Sequence, residues 1–94
     1  MEKVVWYKEK CQFNVELAAG YYAKVQYKLI DDAMHITSTR VPDELQGKGY
    51  GKVMMESVLP VIEQEGYKVV PICSYVVHFM NRSTKWSHLL SKSN

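Results

Sequence analysis

Gln46-Gly47-Lys48-Gly49-Tyr50-Gly51-Lys52 places three glycines within five residues, directly before an apolar stretch with helical spacing. Glycine reaches positive φ without steric cost and lets the backbone approach a ligand closely. Downstream, Val53, Met54, Met55, Val58, Leu59, Val61 and Ile62 recur at helical intervals, and Gly66 supplies a stop signal after Glu65. The spacing predicts a helix from Gly49 to Glu65, with Pro60 expected to kink it. The first turn of a helix leaves N–H groups unpaired, and the helix dipole favours negative charge there. A phosphate or pyrophosphate is the natural guest, with Lys48 and Lys52 at the rim. The spacing is neither the GxxxxGK[ST] of a Walker loop nor a GxGxxG directly after a buried strand. A purely structural turn into the helix is the plain alternative.

Upstream, Ala23, Val25, Tyr27 and Leu29 alternate with Lys24, Gln26 and Lys28, the period of a strand with one buried face. Phe13, Val15 and Leu17 repeat the pattern. Ala19-Gly20 and Asp31-Asp32 punctuate the runs, so strands are expected at 12–18, 21–29 and 34–39, preceded by Val4 to Tyr7. After the long helix, Val69, Val70 and Ile72 suggest a buried strand over 68–73, limited on one side by Pro71. A second helix is expected from Tyr75 to Met80, with Ser74 as N-cap, then a last turn over 86–90 pinned by Trp86 and a frayed tail at 91–94. The fold class is α+β with an α/β crossover: a mainly antiparallel, twisted sheet and a parallel strand pair flanking a long central helix. If the strands on either side of that helix are parallel, its N-terminus opens beside their carboxyl ends, where ligands bind.

The chain has 94 residues, which points to one domain spanning 1–94. A net charge of +2 is too small to imply a polyanionic partner, so any anion must be held locally. Cys11 and Cys73, the only cysteines, have no metal-ligand spacing and are read as reduced thiols. No apolar run approaches a membrane span, and cytoplasmic residence is the expectation.

Gln46-Gly47-Lys48-Gly49-Tyr50-Gly51 fits the pattern Q/R-x-x-G-x-G/A, lies between a strand ending in Thr39-Arg40-Val41-Pro42 and a helix, and is followed by Lys68-Val69-Val70-Pro71-Ile72-Cys73-Ser74-Tyr75. From Ala23 through Leu90 the chain resembles the GCN5-related N-acetyltransferase family, in its minimal, stand-alone branch. The resemblance implies acetyl-coenzyme A (acetyl-CoA) as cosubstrate, bound where the fourth and fifth strands splay apart. It implies that the amides of Gln46, Gly47, Lys48, Gly49, Tyr50 and Gly51 cradle the pyrophosphate and that the backbone of Val41 meets the pantetheine arm and the acetyl carbonyl. The implied chemistry is direct attack of a neutral amine on the thioester, which needs a polarised carbonyl, a route for the amine proton and a donor for the departing thiolate. Cys73 and Tyr75 are the candidate catalytic residues; covalent acetylation of Cys73 is a sharper variant that needs a lowered thiol pKa.

One stretch departs from the branch. His-Thr and an acid are expected before Val-Pro, whereas this chain has Ser38-Thr39-Arg40, and Ser38 cannot replace a histidine as base. His35 is expected on a sheet face and His78 near the cleft, with no role for His88. The expected partners are acetyl-CoA and a small amine or a peptide or protein amine, with no nucleic acid and no membrane, for a monomer or weak homodimer. The stretch between Lys10 and Leu29 leaves no space for the helix pair that walls the acceptor site in larger members, so an open acceptor site is expected. Two alternatives stand beside this reading. One is a catalytically weak or inactive acetyl-CoA-binding interaction protein; the other is a sheet that binds single-stranded nucleic acid through Tyr21, Tyr22, Tyr27, Lys24 and Lys28.

Overall fold

A computed structural model describes residues 3–91. Strands β1 (Lys3–Tyr7), β2 (Gln12–Ala18), β3 (Tyr21–Ile30) and β4 (Ala33–Arg40) precede helix α1 (Tyr50–Gln64), strand β5 (Lys68–Pro71) and helix α2 (Ser74–Arg82). The strands form one sheet in chain order, antiparallel from β1 to β4 and parallel between β4 and β5. The meander, the parallel pair and the long helix all lie where the sequence pattern puts them.

The alternation in β2 and β3 buries Phe13, Val15, Ala23, Val25 and Tyr27 on one face. Against that face α1 lays Met54, Met55, Val58, Leu59 and Ile62, and α2 adds Val76 and Met80. Burying an apolar side chain of this size contributes about 1.5–3 kcal/mol, so these contacts, more than intrinsic propensity, hold α1 in place. Trp86 and Leu89, around a 3₁₀ turn at Ser87–Leu89, close the same core. Tyr27 belongs to it as well: Trp6 Nε1 donates to its hydroxyl at 2.8 Å, and Phe13 packs on both rings, with centroids 5.1 Å from Trp6 and 5.6 Å from Tyr27.

Three local expectations are corrected. Leu29 is exposed rather than buried, because β2 starts opposite Gln26 and gives the end of β3 no neighbour on that side. Strand β5 stops at Pro71, since the N–H groups of both Ile72 and Cys73 turn to the carbonyl of Ile36, at 3.1 and 2.9 Å, and Ile72 is left exposed. Ser74 is the first helical residue of α2, and Cys73 occupies the N-cap position. Pro60 lies within α1, which continues to Gln64; the carbonyl that loses its partner belongs to Glu56, an exposed residue. At the carboxyl end Ser91 donates its N–H to Val69 at 2.9 Å, and the rest of the expected frayed tail, 92–94, lies outside the described residues.

One feature of β4 positions the site. The pairing with β3 runs Lys24↔Arg40, Val25↔Thr39, Gln26↔Ser38 and then shifts to Tyr27↔Ile36, leaving Thr37 as an extra residue. Such a bulge reverses the inside–outside alternation beyond it. Ile36 and Thr39 therefore share the core face, while Ser38 faces outward and donates to Gln26 Oε1 at 2.8 Å.

Candidate active site

Strand β4 outruns β5. Its last β5 partner is Ile36, opposite Pro71, and the four residues from Thr37 to Arg40 continue without β5 beside them. The chain then bends through Pro42 and a 3₁₀ turn at Asp43–Leu45, which Gln46 braces by donating its side-chain amide to the Val41 carbonyl at 3.0 Å and to Asp43 Oδ1 at 3.2 Å. Gly47 (φ 78°) and Gly49 (φ 82°) turn the backbone through left-handed conformations that side-chain-bearing residues rarely adopt. Gly49 is the N-cap of α1. No side chain caps that end and no acid lies in the first turn, so no side-chain charge offsets the positive end of the helix dipole.

These elements enclose a cleft of about 420 Å³. Thr39, Val41, Gln46, Gly47, Gly49, Tyr50, Gly51, Lys52 and Tyr75 contribute to its walls. Of the residues named from the sequence, all but Lys48 and Cys73 line it. Lys48 is exposed on the loop. Cys73 stands behind Thr39, whose Oγ1 lies 3.3 Å from Cys73 Sγ. Gly51 has an ordinary negative φ, and its missing side chain serves a different end: a Cβ there would meet Tyr75 Oη at 2.6 Å. Thr39 was not among the sequence candidates. Only the bulge at Thr37 brings it inward, and a bulge leaves no mark in composition.

The environments of Cys73 and Tyr75 push their acidities apart. Burial pushes the Cys73 thiol up, but hydrogen bonding from the Thr39 side chain and from the backbone N–H groups of Val76, Tyr75 and Thr39 outweighs it, and the net shift is downward. The α2 N–H groups face the sulfur without closing a formal capping bond, so the sulfur takes the place that a cap oxygen usually fills. Burial raises the Tyr75 phenol, and the Arg82 charge opposes part of that rise. A thiol shifted down and a phenol shifted up thus stand two residues apart at the start of α2, the phenol on the cleft wall and the thiol behind Thr39.

A second cavity of about 480 Å³ opens between α1 and α2 and shares Lys52 and Tyr75 with the first. Lys52, Arg82 and Lys85 outnumber Glu56 on its walls, with Phe79 as an apolar surface and His78 beside it. His35 lies on the outer sheet face opposite Lys28 and Val70. His88 lies 2.6 Å from Glu63 and lines neither cavity. No helix among the described residues is long and apolar enough to cross a membrane.

The donor set suits a pyrophosphate: a glycine-rich bend, an uncapped helix N-terminus and a lysine in the first turn. The fold matches the NMR solution structure of a GCN5-like protein from Staphylococcus aureus with a TM-score of 0.70 at 20% identity, covering 98% of this chain and 90% of that one. No curated protein matches. The sequence model described as GCN5-related N-acetyltransferase matches residues 12–89, a span that holds both the splayed strands and the glycine bend. On that match, the chain belongs to the GCN5-related N-acetyltransferase family.

Proposed function

We propose that this chain is an N-acetyltransferase that uses acetyl-CoA and passes the acetyl group directly to a primary amine. The observation that carries this reading is the convergence on one cleft of the unpaired end of β4, the uncapped N-terminus of α1, and Tyr75. Acetyl-CoA supplies an activated thioester. The amides of Gly47 to Gly51 hold its pyrophosphate, whereas the Gln46 N–H is already donated to the Asp43 carbonyl at 3.3 Å and braces the bend instead; the Val41 N–H polarises the acetyl carbonyl. The second cavity, with Lys52, Arg82 and Lys85, suits the phosphorylated nucleoside end.

The neutral amine nitrogen forms the new C–N bond as the C–S bond breaks. Tyr75, held protonated by burial, gives its proton to the departing sulfur. Cys73, whose thiol is inclined to ionise, takes the proton that the amine loses. Its sulfur lies behind Thr39, off the cleft wall, so it reaches the amine proton through one bridging water and lacks the direct approach to the acetyl carbon that its own acetylation would need.

The test is release of free coenzyme thiol when the purified protein meets acetyl-CoA and a panel of small amines and peptides. We expect acceptor-dependent release and an unmodified intact mass. Coenzyme binding with no release across the panel would contradict the catalytic reading, and a trapped acetyl adduct on Cys73 would replace the direct route with a covalent one.

A further inference from the structure

Among the described residues, Thr39 is the one whose polar side chain both lines the cleft and is hydrogen-bonded to the Cys73 side chain. Its placement is built rather than incidental. Were Thr37 paired in regular alternation instead of bulged, Ser38 would turn inward and Thr39 outward. With it, the Thr39 side chain lies on the face that carries Val25 and Ile36, at the point where β4 has left β5 behind. Cys73 enters from the other strand, its N–H fixed to the Ile36 carbonyl at 2.9 Å and its own carbonyl accepting from Val77 at 2.9 Å. Both backbones are thus held, and the 3.3 Å separation of Oγ1 and Sγ follows from them.

We propose that Thr39 is the positioning residue of Cys73: its hydroxyl donates to Sγ across the mouth of the splayed strands and governs how that sulfur reacts. The assignment deepens the acetyl-transfer reading and rests on it for its biological meaning, but the contact can be tested without an acceptor. The hydroxyl adds to the α2 N–H groups that already face the sulfur, so an ionised Sγ gains a donor that a neutral thiol needs less. The ionisable side chains on the surrounding elements are Tyr75, His78 and Arg82 on α2, Tyr50, Lys52, Glu56 and Glu63 on α1, Lys68 on β5, and His35 and Arg40 on β4, the last lying 3.9 Å from Asp43. None of them is altered in the comparison below.

The experiment uses a Cys11→Ser background, which leaves Cys73 as the single cysteine, and follows iodoacetamide alkylation from mildly acidic to alkaline pH. With Thr39 intact, the rate should inflect below the ordinary thiol range. Thr39→Val keeps the branched shape and removes the hydroxyl; the inflection should move up, and alkylation at neutral pH should slow several-fold. Thr39→Ser keeps the hydroxyl and loses the methyl, and should behave like the parent. A residue present only for packing or strand propensity predicts the reverse order. A valine variant that reacts like the parent, or a serine variant as impaired as valine, overturns the proposal. If valine lowers the unfolding midpoint, the Thr39→Ser and Thr39→Ala pair gives the same comparison. Should the predicted order hold while acetyl-CoA fails to bind, the coenzyme reading falls and the Thr39 assignment stands; if acetyl-CoA binds and the order fails, only the assignment falls.

Discussion

Tyr75 occupies the space that a side chain on Gly51 would need: a Cβ at Gly51 would lie 2.6 Å from the phenol oxygen and 2.8 Å from Cζ. The contact fixes the start of α2 against the start of α1 and sets Tyr75 on the wall of both cavities. Gly51→Ala should therefore act on the phenol rather than on the fold. The clash is with the far end of a side chain that can swing away, and alanine favours a helix over glycine by up to about 1 kcal/mol. We expect an unfolding midpoint that is unchanged or higher, together with slower acetyl transfer. A large loss of stability, or full activity, would contradict this.

Tyr75→Phe retains the ring against Phe79, whose centroid is 6.4 Å away, and removes the proton donor. Loss of a general acid costs roughly a hundredfold or more in turnover. Steady-state kinetics should show the effect in kcat, with KM for acetyl-CoA little changed; an effect confined to KM would make Tyr75 a binding residue only.

The two acidity shifts predict the shape of the pH profile. Cys73 is depressed by its hydrogen-bond donors despite burial, so activity should rise through a pH below the ordinary thiol range. Tyr75 is raised by burial, so activity should fall only above the ordinary tyrosine range. With an acceptor amine of low basicity that stays neutral throughout, the predicted profile is a wide plateau, and Cys73→Ala should abolish its acidic limb. An acidic limb that persists unchanged in that variant would remove Cys73 from the proton path.

Ser38 occupies the position at which a histidine was expected, yet its hydroxyl points to Gln26 on the outer face. Ser38→Ala should leave acetyl-CoA binding and turnover at the parental level. A marked loss of turnover would show that the bulge does not hold the strand in this orientation.

Much of this arrangement is legible in the sequence. Alternation in β3 and the helical spacing after Gly51 report directly on burial, because each side chain carries the record of the face it occupies. What escapes is register. Thr37 looks like any strand residue, so nothing in the sequence reveals that Ser38 and Thr39 exchange faces. The exposure of Leu29 depends on where β2 begins, and the end of β5 depends on the Ile36 carbonyl, both of which are partners distant in sequence. Ser74 carries the usual capping side chain, but the chain turns one residue earlier and puts the Cys73 sulfur at the cap. The glycine bend and Tyr75 were therefore readable, whereas the Thr39–Cys73 contact needed the fold.

Tyr27 gives a test of the core. Burial raises its phenol above the ordinary tyrosine range, partly offset by the hydrogen bond from Trp6. A raised value means that the folded state holds this proton more tightly than the unfolded chain does. Its contribution is complete below the ordinary range and is lost as pH rises through the folded-state value. Tyr27→Phe should cost about 1 kcal/mol at neutral pH by leaving Trp6 Nε1 without its partner. Denaturant unfolding should show that gap narrowing in alkaline solution; a gap that widens would contradict the assignment.

The central claim is that the cleft between β4 and β5 holds acetyl-CoA through the glycine bend, and thermal unfolding with and without acetyl-CoA tests it most directly. A ligand at a hundredfold excess over its dissociation constant adds about 2.7 kcal/mol, on the order of 10 °C for a domain of this size. The account predicts a rise of that order in the parent protein and its loss in Gly49→Glu, where a side chain and a negative charge enter the N-cap of α1. An unfolding midpoint that does not move with acetyl-CoA, or that rises equally in Gly49→Glu, would contradict it.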